Sequence, residues 1–258
     1  MKRLKMWAAA GASALLVACG GGASGGAKIG GASGTDLAAA QVLHRGNATE
    51  IQTLDPQISQ EVSGANVMRD LFEGLVGKAP NGDLVPGAAE SWTVSPDGKQ
   101  YTFALRHNAR WSNGEPVTAG DFVYGLRRGA DPKTGSTYSF ILSPILNADD
   151  ITAGRRPPED LGARARDDYT LEIDLANPTP YFLGLLTHPV TYAVNRANLE
   201  KHGSEWTRPG NLVGNGAFKL AEWVVQSHIK LVRSEYYWDH EHTRLDEVWY
   251  YPTEDQSG

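Results

Sequence analysis

From about residue 41 onward, short segments with the two-residue period of a β-strand alternate with short segments of helical period. One such strand pattern places Tyr101, Phe103 and Leu105 on one face, and residues 171–175 have the cleanest pattern of a half-buried strand. Gly, Pro, Asn and Asp separate the segments, as is usual at turns. This order predicts a mixed fold of the α/β or α+β class with many short strands. Strands are predicted at residues 92–94, 101–106, 171–175, 229–233 and 247–251, with a tight turn at residues 96–99.

Apolar spacing and capping residues predict the helices. Val67, Leu71 and Leu75 recur every four residues and would form a stripe that faces a core. Thr118 and Asp121 have the positions of a capping box, with Asp where Glu or Gln is more usual. Helices are predicted at residues 66–75, from 119 to about 128, and at 196–202.

Composition narrows the classes of function. The chain has 258 residues, of which 41% are hydrophobic, enough for one large domain or two modest ones. Its net charge of -6, without a run of Lys and Arg, argues against nucleic acid as a partner. Cys19 is the only cysteine, so neither a disulfide within the chain nor a cysteine cluster for zinc can form.

The first residues have the pattern of an export signal. Lys2, Arg3 and Lys5 precede an apolar segment at residues 7–17, which is too short to cross a bilayer. The ending Leu-Val-Ala-Cys at residues 16–19 resembles a bacterial lipobox. That resemblance implies that residues 1–18 are removed and that Cys19 is lipidated, which anchors the chain to a membrane. A plain signal peptide with an incidental cysteine is the alternative.

A segment rich in Gly, Ala and Ser follows the cysteine. Residues 20–34 consist almost entirely of these three residue types. Such a segment buries too little apolar surface to offset the entropy of ordering it. Residues 19–40 are therefore predicted to be a flexible tether.

Three segments are dense in residues with specific geometric roles: Leu-Asp-Pro at 54–56 with the Asn-Val helix after it, the run Trp-Ser-Asn-Gly-Glu-Pro-Val-Thr-Ala-Gly-Asp-Phe at 111–122, and Gly-Asn-Gly-Ala-Phe-Lys-Leu at 214–220. With these motifs the chain resembles the extracellular solute-binding proteins, family 5, of oligopeptide and dipeptide ABC importers. The likeness runs from about residue 42 to 252 and is greatest to the oligopeptide branch.

The resemblance implies a two-lobed protein of the type II periplasmic-binding-protein kind that closes around a peptide. Residues 41–75 and 196–258 would form the first lobe, and residues 76–195 a domain inserted in it. Family members are much longer, so the second lobe is expected to be missing here. A fragment, a premature stop, and completion by another polypeptide all remain open.

The family also implies which residues contact the ligand. Gln60, Glu61 and Val62 match the loop that supplies backbone and acidic contacts, and Tyr138 matches a contact from the inserted domain. The oligopeptide branch has an acidic residue at the position of Gln60, whereas this chain has Glu61 one position later. Either the register shifts by one residue or Gln60 binds as a neutral group. The simpler alternatives are a solvated Glu61 and a Tyr138 that only packs.

The predicted function is capture of oligopeptides for an ABC permease by a lipoprotein of the periplasm or cell envelope. Alternatives are a binder of the same fold for a dipeptide, a cell-wall peptide, nickel or haem, and a truncated copy without function. An enzyme is not expected, because His240 and His242 beside Glu241 have no third metal ligand at a suitable spacing. No cofactor is implied.

Overall fold

A computed structural model describes residues 38–253, and the predicted signal peptide, Cys19 and most of the tether lie outside that range. Each predicted strand and turn is present.

None of the helices in the described part is long and apolar enough to span a membrane. The helices are α1 Val62–Leu71, α2 Ala119–Ala130, α3 Ala148–Thr152, α4 Phe182–Leu185 and α5 Arg196–His202. The strands are β1 Val42–Gly46, β2 Val76–Lys78, β3 Leu84–Pro86, β4 Ala89–Val94, β5 Gln100–Leu105, β6 Ala163–Asp167, β7 Thr170–Asp174, β8 Phe218–Val224, β9 His228–Arg233 and β10 Glu247–Tyr251.

Two four-stranded sheets and one hairpin organise these elements. In the first sheet, of order β1-β10-β9-β8, the parallel pairing of β1 with β10 joins distant parts of the chain. The second sheet, of order β4-β5-β7-β6, is antiparallel throughout. Strands β2 and β3 form a separate antiparallel hairpin. One sheet therefore needs residues from both ends of the described chain, whereas the other is built from its middle.

The second sheet confirms the alternation predicted for β5. Tyr101, Phe103 and Leu105 are buried, and β5 is paired with β4 through the predicted turn, in which Gly98 has a φ of +69°. Strand β7 differs from a simple alternating strand, because Glu172 is buried together with its apolar neighbours. Its carboxylate is paired with Arg164 at 2.5 Å and Arg166 at 3.0 Å, and both guanidinium groups come from β6.

Helix α2 begins and ends close to the predicted positions. The Asp121 carboxylate accepts a hydrogen bond of 2.8 Å from the backbone N–H of Thr118, as a capping box requires. Gly125 lies on the buried side of the helix, where an added Cβ would lie 2.3 Å from the carbonyl oxygen of Tyr192. The absence of a side chain at this position therefore allows α2 to pack directly on backbone.

Helix α1 is displaced from its predicted range of residues 66–75. It begins four residues earlier, at Val62, and ends at Leu71, although Leu75 is buried as expected. The carbonyl oxygen of Leu71 accepts a hydrogen bond of 2.9 Å from the N–H of Gly216. An added Cβ on Gly214 would lie 2.1 Å from the same oxygen, so this glycine segment packs against the helix end. A contact from a distant part of the chain thus ends the helix.

Candidate functional site

The segment that leads into α1 is fixed by a buried ion pair. The Asp55 carboxylate accepts hydrogen bonds of 2.7 and 2.6 Å from the Arg128 guanidinium and of 3.3 Å from Trp206 Nε1. Gln57 accepts from the same guanidinium at 2.7 Å and donates to the carbonyl oxygen of Tyr192 at 3.0 Å. Charge-assisted contacts of this kind are strong, and here they position the loop against α2.

Beyond this anchor, the loop and α1 line a small groove of about 150 Å³. The structure brings all four residues of the predicted ligand site, Gln60, Glu61, Val62 and Tyr138, into its lining. Their contact with a ligand stays a prediction. The other residues of the lining are Ser59, Ala65, Met68, Arg69, His188 and Pro189.

Tyr138 forms one aromatic wall of the groove. Its ring is half-buried and packs against His188, with 4.8 Å between ring centroids, and against Phe140 at 5.8 Å. Its hydroxyl donates a long hydrogen bond of 3.4 Å to the carbonyl oxygen of Gln60. The exposed side of Phe140 extends the apolar surface beside it. Tyr138 therefore packs at the groove and also presents a polar group next to the loop.

Glu61 and Val62 occupy the start of α1 rather than a free loop. Glu61 is the N-cap residue, and its carboxylate accepts a hydrogen bond of 2.7 Å from the N–H of Gln52. It is thus committed to a local partner, unlike a freely solvated carboxylate. Val62 is the first helical residue, and its side chain is 76% exposed. No side chain caps the first turn of α1, so the backbone N–H groups there lack side-chain partners.

A buried hydroxyl lies beneath the helix start. Ser59 Oγ has no hydrogen-bond partner among the described residues, and an added Cβ on Gly64 would lie 2.7 Å from it. Buried hydroxyls without partners are uncommon in folded proteins. The floor of the groove therefore contains a hydroxyl whose hydrogen-bonding groups are not used by the surrounding described residues.

Two residues of the groove, Arg69 and His188, were not anticipated. Burial lowers the pKa of His188, the nearby charge of Arg69 lowers it further, and the ring is therefore neutral near pH 7. Its Nδ1 accepts a hydrogen bond of 3.2 Å from the N–H of Val190, which places the remaining proton on Nε2. With α1 beginning at residue 62, Ala65 and Arg69 share one helical face with Val62. A helix predicted from residue 66 could not reveal that pattern.

The acidic and histidine side chains give no metal centre in the described range. Among residues 38–253, no group of three or more His, Cys, Asp or Glu side chains could hold a metal ion. His240 and His242 lie on a short 3-10 turn, and His242 is paired with Asp239 at 2.5 Å. That aspartate raises the pKa of His242. These side chains form a local surface ion pair.

Residues 83–258 match the profile of the family described as "Bacterial extracellular solute-binding proteins, family 5 Middle". The match covers most of the chain. This protein belongs to family 5 of the bacterial extracellular solute-binding proteins. The predicted family is confirmed.

Relatives in family 5 agree with this assignment in sequence and in structure. The periplasmic oligopeptide-binding protein OppA of Salmonella typhimurium is 48% identical over 222 residues. The structure of Haemophilus influenzae OppA in complex with the peptide RPPGFSPFR has a TM-score of 0.83 and 41% identity over 85% of this chain. The Escherichia coli murein tripeptide binding protein MppA has a TM-score of 0.82 and 43% identity over 84%. The mixed α/β fold is therefore that of type II periplasmic binding proteins.

The shared region is a limited part of each family 5 relative. The matched residues make up 85% of this chain but only 41% of the Salmonella protein. The corresponding shares of the two solved structures are 43% and 42%. The matched part of this chain thus corresponds to less than half of the length of each of these relatives.

Proposed function

We propose that this protein is the substrate-binding component of an ABC importer and captures oligopeptides for uptake. The grouping of Gln60, Glu61, Val62 and Tyr138 around one groove carries the proposal. The 48% identity to an oligopeptide-binding relative supports it. The proposed role is that of a binding protein without catalytic activity or cofactor, which delivers its ligand to a membrane permease.

The chemistry of the groove suits an extended peptide of variable sequence. Backbone N–H groups at the start of α1 and the carbonyl oxygen of Gln60 can pair with groups that every peptide carries. Tyr138 supplies an aromatic surface that tolerates different side chains. Closure of a second lobe over this wall would exclude water and strengthen the same contacts. Little of this recognition depends on the identity of the ligand side chains.

We further propose that residues 41–75 and 196–258 form the first lobe and that residues 76–195 are inserted in it. The sheet formed by β1 with β8, β9 and β10 supports the first assignment, because its strands come only from these two ranges. The second sheet and the β2–β3 hairpin support the second, since they lie within residues 76–195. In this arrangement the inserted domain contributes Tyr138 and the lobe contributes the loop before α1.

We also propose that the protein acts in the periplasm or cell envelope and is anchored by a lipid on Cys19. The names of the relatives support the compartment, and the lipobox-like residues 16–19 support the anchor. Mass spectrometry of the exported protein tests this. An acylated N-terminal cysteine is expected at position 19, and loss of membrane association is expected in Cys19→Ser. An N-terminus at another residue would contradict lipidation.

A cell-wall peptide is the alternative ligand that one observation favours. MppA, a murein tripeptide binding protein by its name, resembles this chain as closely in structure as the peptide-bound OppA does. The same groove chemistry would suit a short cell-wall peptide. The two candidates differ in the ligand and share the transport role.

Binding measured by NMR titration of the full chain distinguishes these functions. Peptides of two to six residues, a cell-wall tripeptide, nickel and haem would be added separately up to millimolar concentration. Saturable shifts at the residues of the groove are expected with oligopeptides. Stronger binding of the cell-wall tripeptide would favour the alternative. If only haem or nickel causes shifts, peptide capture is contradicted. It is also contradicted if none of the compounds causes shifts.

A further inference from the structure

Arg69 has hydrogen-bonding capacity that the described protein does not use. Its exposed guanidinium donates to Asn66 Oδ1 at 3.2 Å. Within residues 38–253 it forms no ion pair. A guanidinium has more N–H donors than any other side chain and fits a carboxylate in a two-point contact. Arg69 is therefore available to an incoming anion.

The two carboxylates nearest to this guanidinium in sequence are occupied by other donors. Asp70 accepts a hydrogen bond of 2.5 Å from the hydroxyl of Tyr250. Glu73 accepts from the hydroxyl of Tyr237 at 2.6 Å and from Trp238 Nε1 at 2.8 Å. Burial also raises the pKa of Glu73 to about 7, which reduces its charge near neutral pH. Neither group neutralises the guanidinium by direct contact.

The same arginine joins the groove to a second and larger cavity. Arg69 lines both the 150 Å³ groove and a cavity of about 680 Å³, which is otherwise lined mainly by residues that follow α1. His188 lines the groove, and its chain neighbour Thr187 lines the larger cavity. Consecutive residues of one segment therefore contribute to both cavities. Lys78, which is exposed and forms no ion pair within residues 38–253, adds a second positive charge to the larger cavity. The groove and the larger cavity share Arg69 and are together called the trench here. Arg69 and Lys78 place two positive charges along its lining, and Glu73 is the acidic residue of the larger cavity.

We propose that Arg69 selects peptide ligands that carry a carboxylate at the trench, either the C-terminal carboxylate or that of an Asp or Glu side chain. This inference rests on the proposed peptide-binding function and adds a specificity to it. An arginine with unused donors beside a groove for backbone groups would hold one carboxylate at a defined distance from Tyr138. Neutral groups at that position of the peptide would gain nothing from it.

The test compares wild-type protein with Arg69→Gln, Arg69→Lys and the control Arg244→Gln. Arg244 is exposed and lies outside both cavities, so its substitution removes the same charge elsewhere. Three peptides with free N-termini are titrated by NMR: Ala-Ala-Ala, its C-terminal amide, and Ala-Glu-Ala amide. The first carries only a C-terminal carboxylate, the third only a side-chain carboxylate, and the second neither.

In Arg69→Gln, affinity for at least one carboxylate peptide is expected to fall about tenfold, while affinity for the neutral amide stays unchanged. Loss for Ala-Ala-Ala alone identifies the C-terminal carboxylate, and loss for the Glu peptide alone identifies the side chain. Arg69→Lys is expected to retain part of the preference and Arg244→Gln all of it. A wild-type preference that survives in Arg69→Gln, or equal binding of all three peptides by wild type, overturns the role of Arg69 and leaves peptide binding intact. If wild type binds none of the peptides, the proposed function fails, and this inference fails with it.

Discussion

Arg128 binds Asp55 through two hydrogen bonds of 2.7 and 2.6 Å, and the pair joins α2 to the loop that precedes the candidate groove. The Asp55 side chain is only 4% exposed. The geometry of the groove therefore depends on an ion pair that lies outside its lining.

Removal of the cation should destabilise the protein strongly. In Arg128→Met the buried carboxylate of Asp55 loses its counter-ion, and the free energy of unfolding is expected to fall by about 3–5 kcal/mol. Denaturant unfolding followed by circular dichroism measures this change. The exposed pair of Arg155 with Asp150 is the control, because Arg155→Met should cost less than about 1 kcal/mol.

The double variant Asp55→Asn with Arg128→Met separates lost charge pairing from lost packing. Because it contains no uncompensated charge, it should be more stable than Arg128→Met alone. A single variant as stable as wild type, or a double variant no better than the single one, would show that charge pairing is not the source of stability.

Glu73 should make stability depend on pH. Burial raises the pKa of its carboxyl from 4.5 to about 7 in the folded protein, against the lowering effect of hydrogen bonds from Tyr237 and Trp238. Below pH 4.5 both the folded and the unfolded forms hold the proton. Between pH 4.5 and 7 the unfolded form loses it first, so the contribution of Glu73 to stability falls as pH rises, by roughly 3 kcal/mol in total.

Unfolding of wild type and Glu73→Gln between about pH 4.5 and 9 tests this dependence. The difference in stability between the two proteins should move in favour of Glu73→Gln as pH rises and become constant above about pH 8. Glu90→Gln is the control, because Glu90 is exposed. A difference that does not vary with pH, or that moves in favour of wild type, would contradict a raised pKa.

The strands were predictable because the alternation of apolar and polar residues that marks a strand lies within the strand's own sequence. Alternation in residues 101–106 reports directly on which side chains of β5 face the core. The burial of Glu172 was not predictable in this way, because the charges that compensate its carboxylate come from Arg164 and Arg166 on the neighbouring strand. A pattern read along one strand carries no signal from the other.

The helix boundaries and the full groove depend on tertiary contacts in the same way. Gly216 caps the final carbonyl of α1 from a distant segment, so the sequence around Leu71 alone could not show where the helix ends. The family motifs indicated the loop at residues 60–62 and Tyr138 as one ligand site, and these residues line one groove, but their contact with a ligand stays a prediction. Arg69 was missed because its face is defined only when α1 begins at residue 62.

Helix α2 contains two glycines that should respond oppositely to alanine. At Gly125 an added Cβ would lie 2.3 Å from the carbonyl oxygen of Tyr192, and Gly125→Ala should cost about 1–3 kcal/mol or more. At the exposed Gly120 the nearest atom would be 3.5 Å away, and Gly120→Ala should be neutral or stabilising by up to about 1 kcal/mol. Thermal unfolding of both variants measures the contrast. Equal effects at the two positions would show that close packing at Gly125 is unimportant.

Tyr138 is expected to contribute directly to peptide binding. Its ring forms a wall of the groove, so Tyr138→Ala should weaken binding by about 1–3 kcal/mol, whereas Tyr138→Phe keeps the ring and loses only the 3.4 Å hydrogen bond to Gln60. Tyr181→Ala is the control, because Tyr181 is 67% exposed and lies outside the groove. Titration calorimetry or NMR with one oligopeptide gives the three dissociation constants relative to wild type. If the dissociation constant of a folded Tyr138→Ala variant equals that of wild type, Tyr138 is not part of the binding site. A loss in Tyr138→Phe as large as that in Tyr138→Ala would assign the contact to the hydroxyl rather than to the ring.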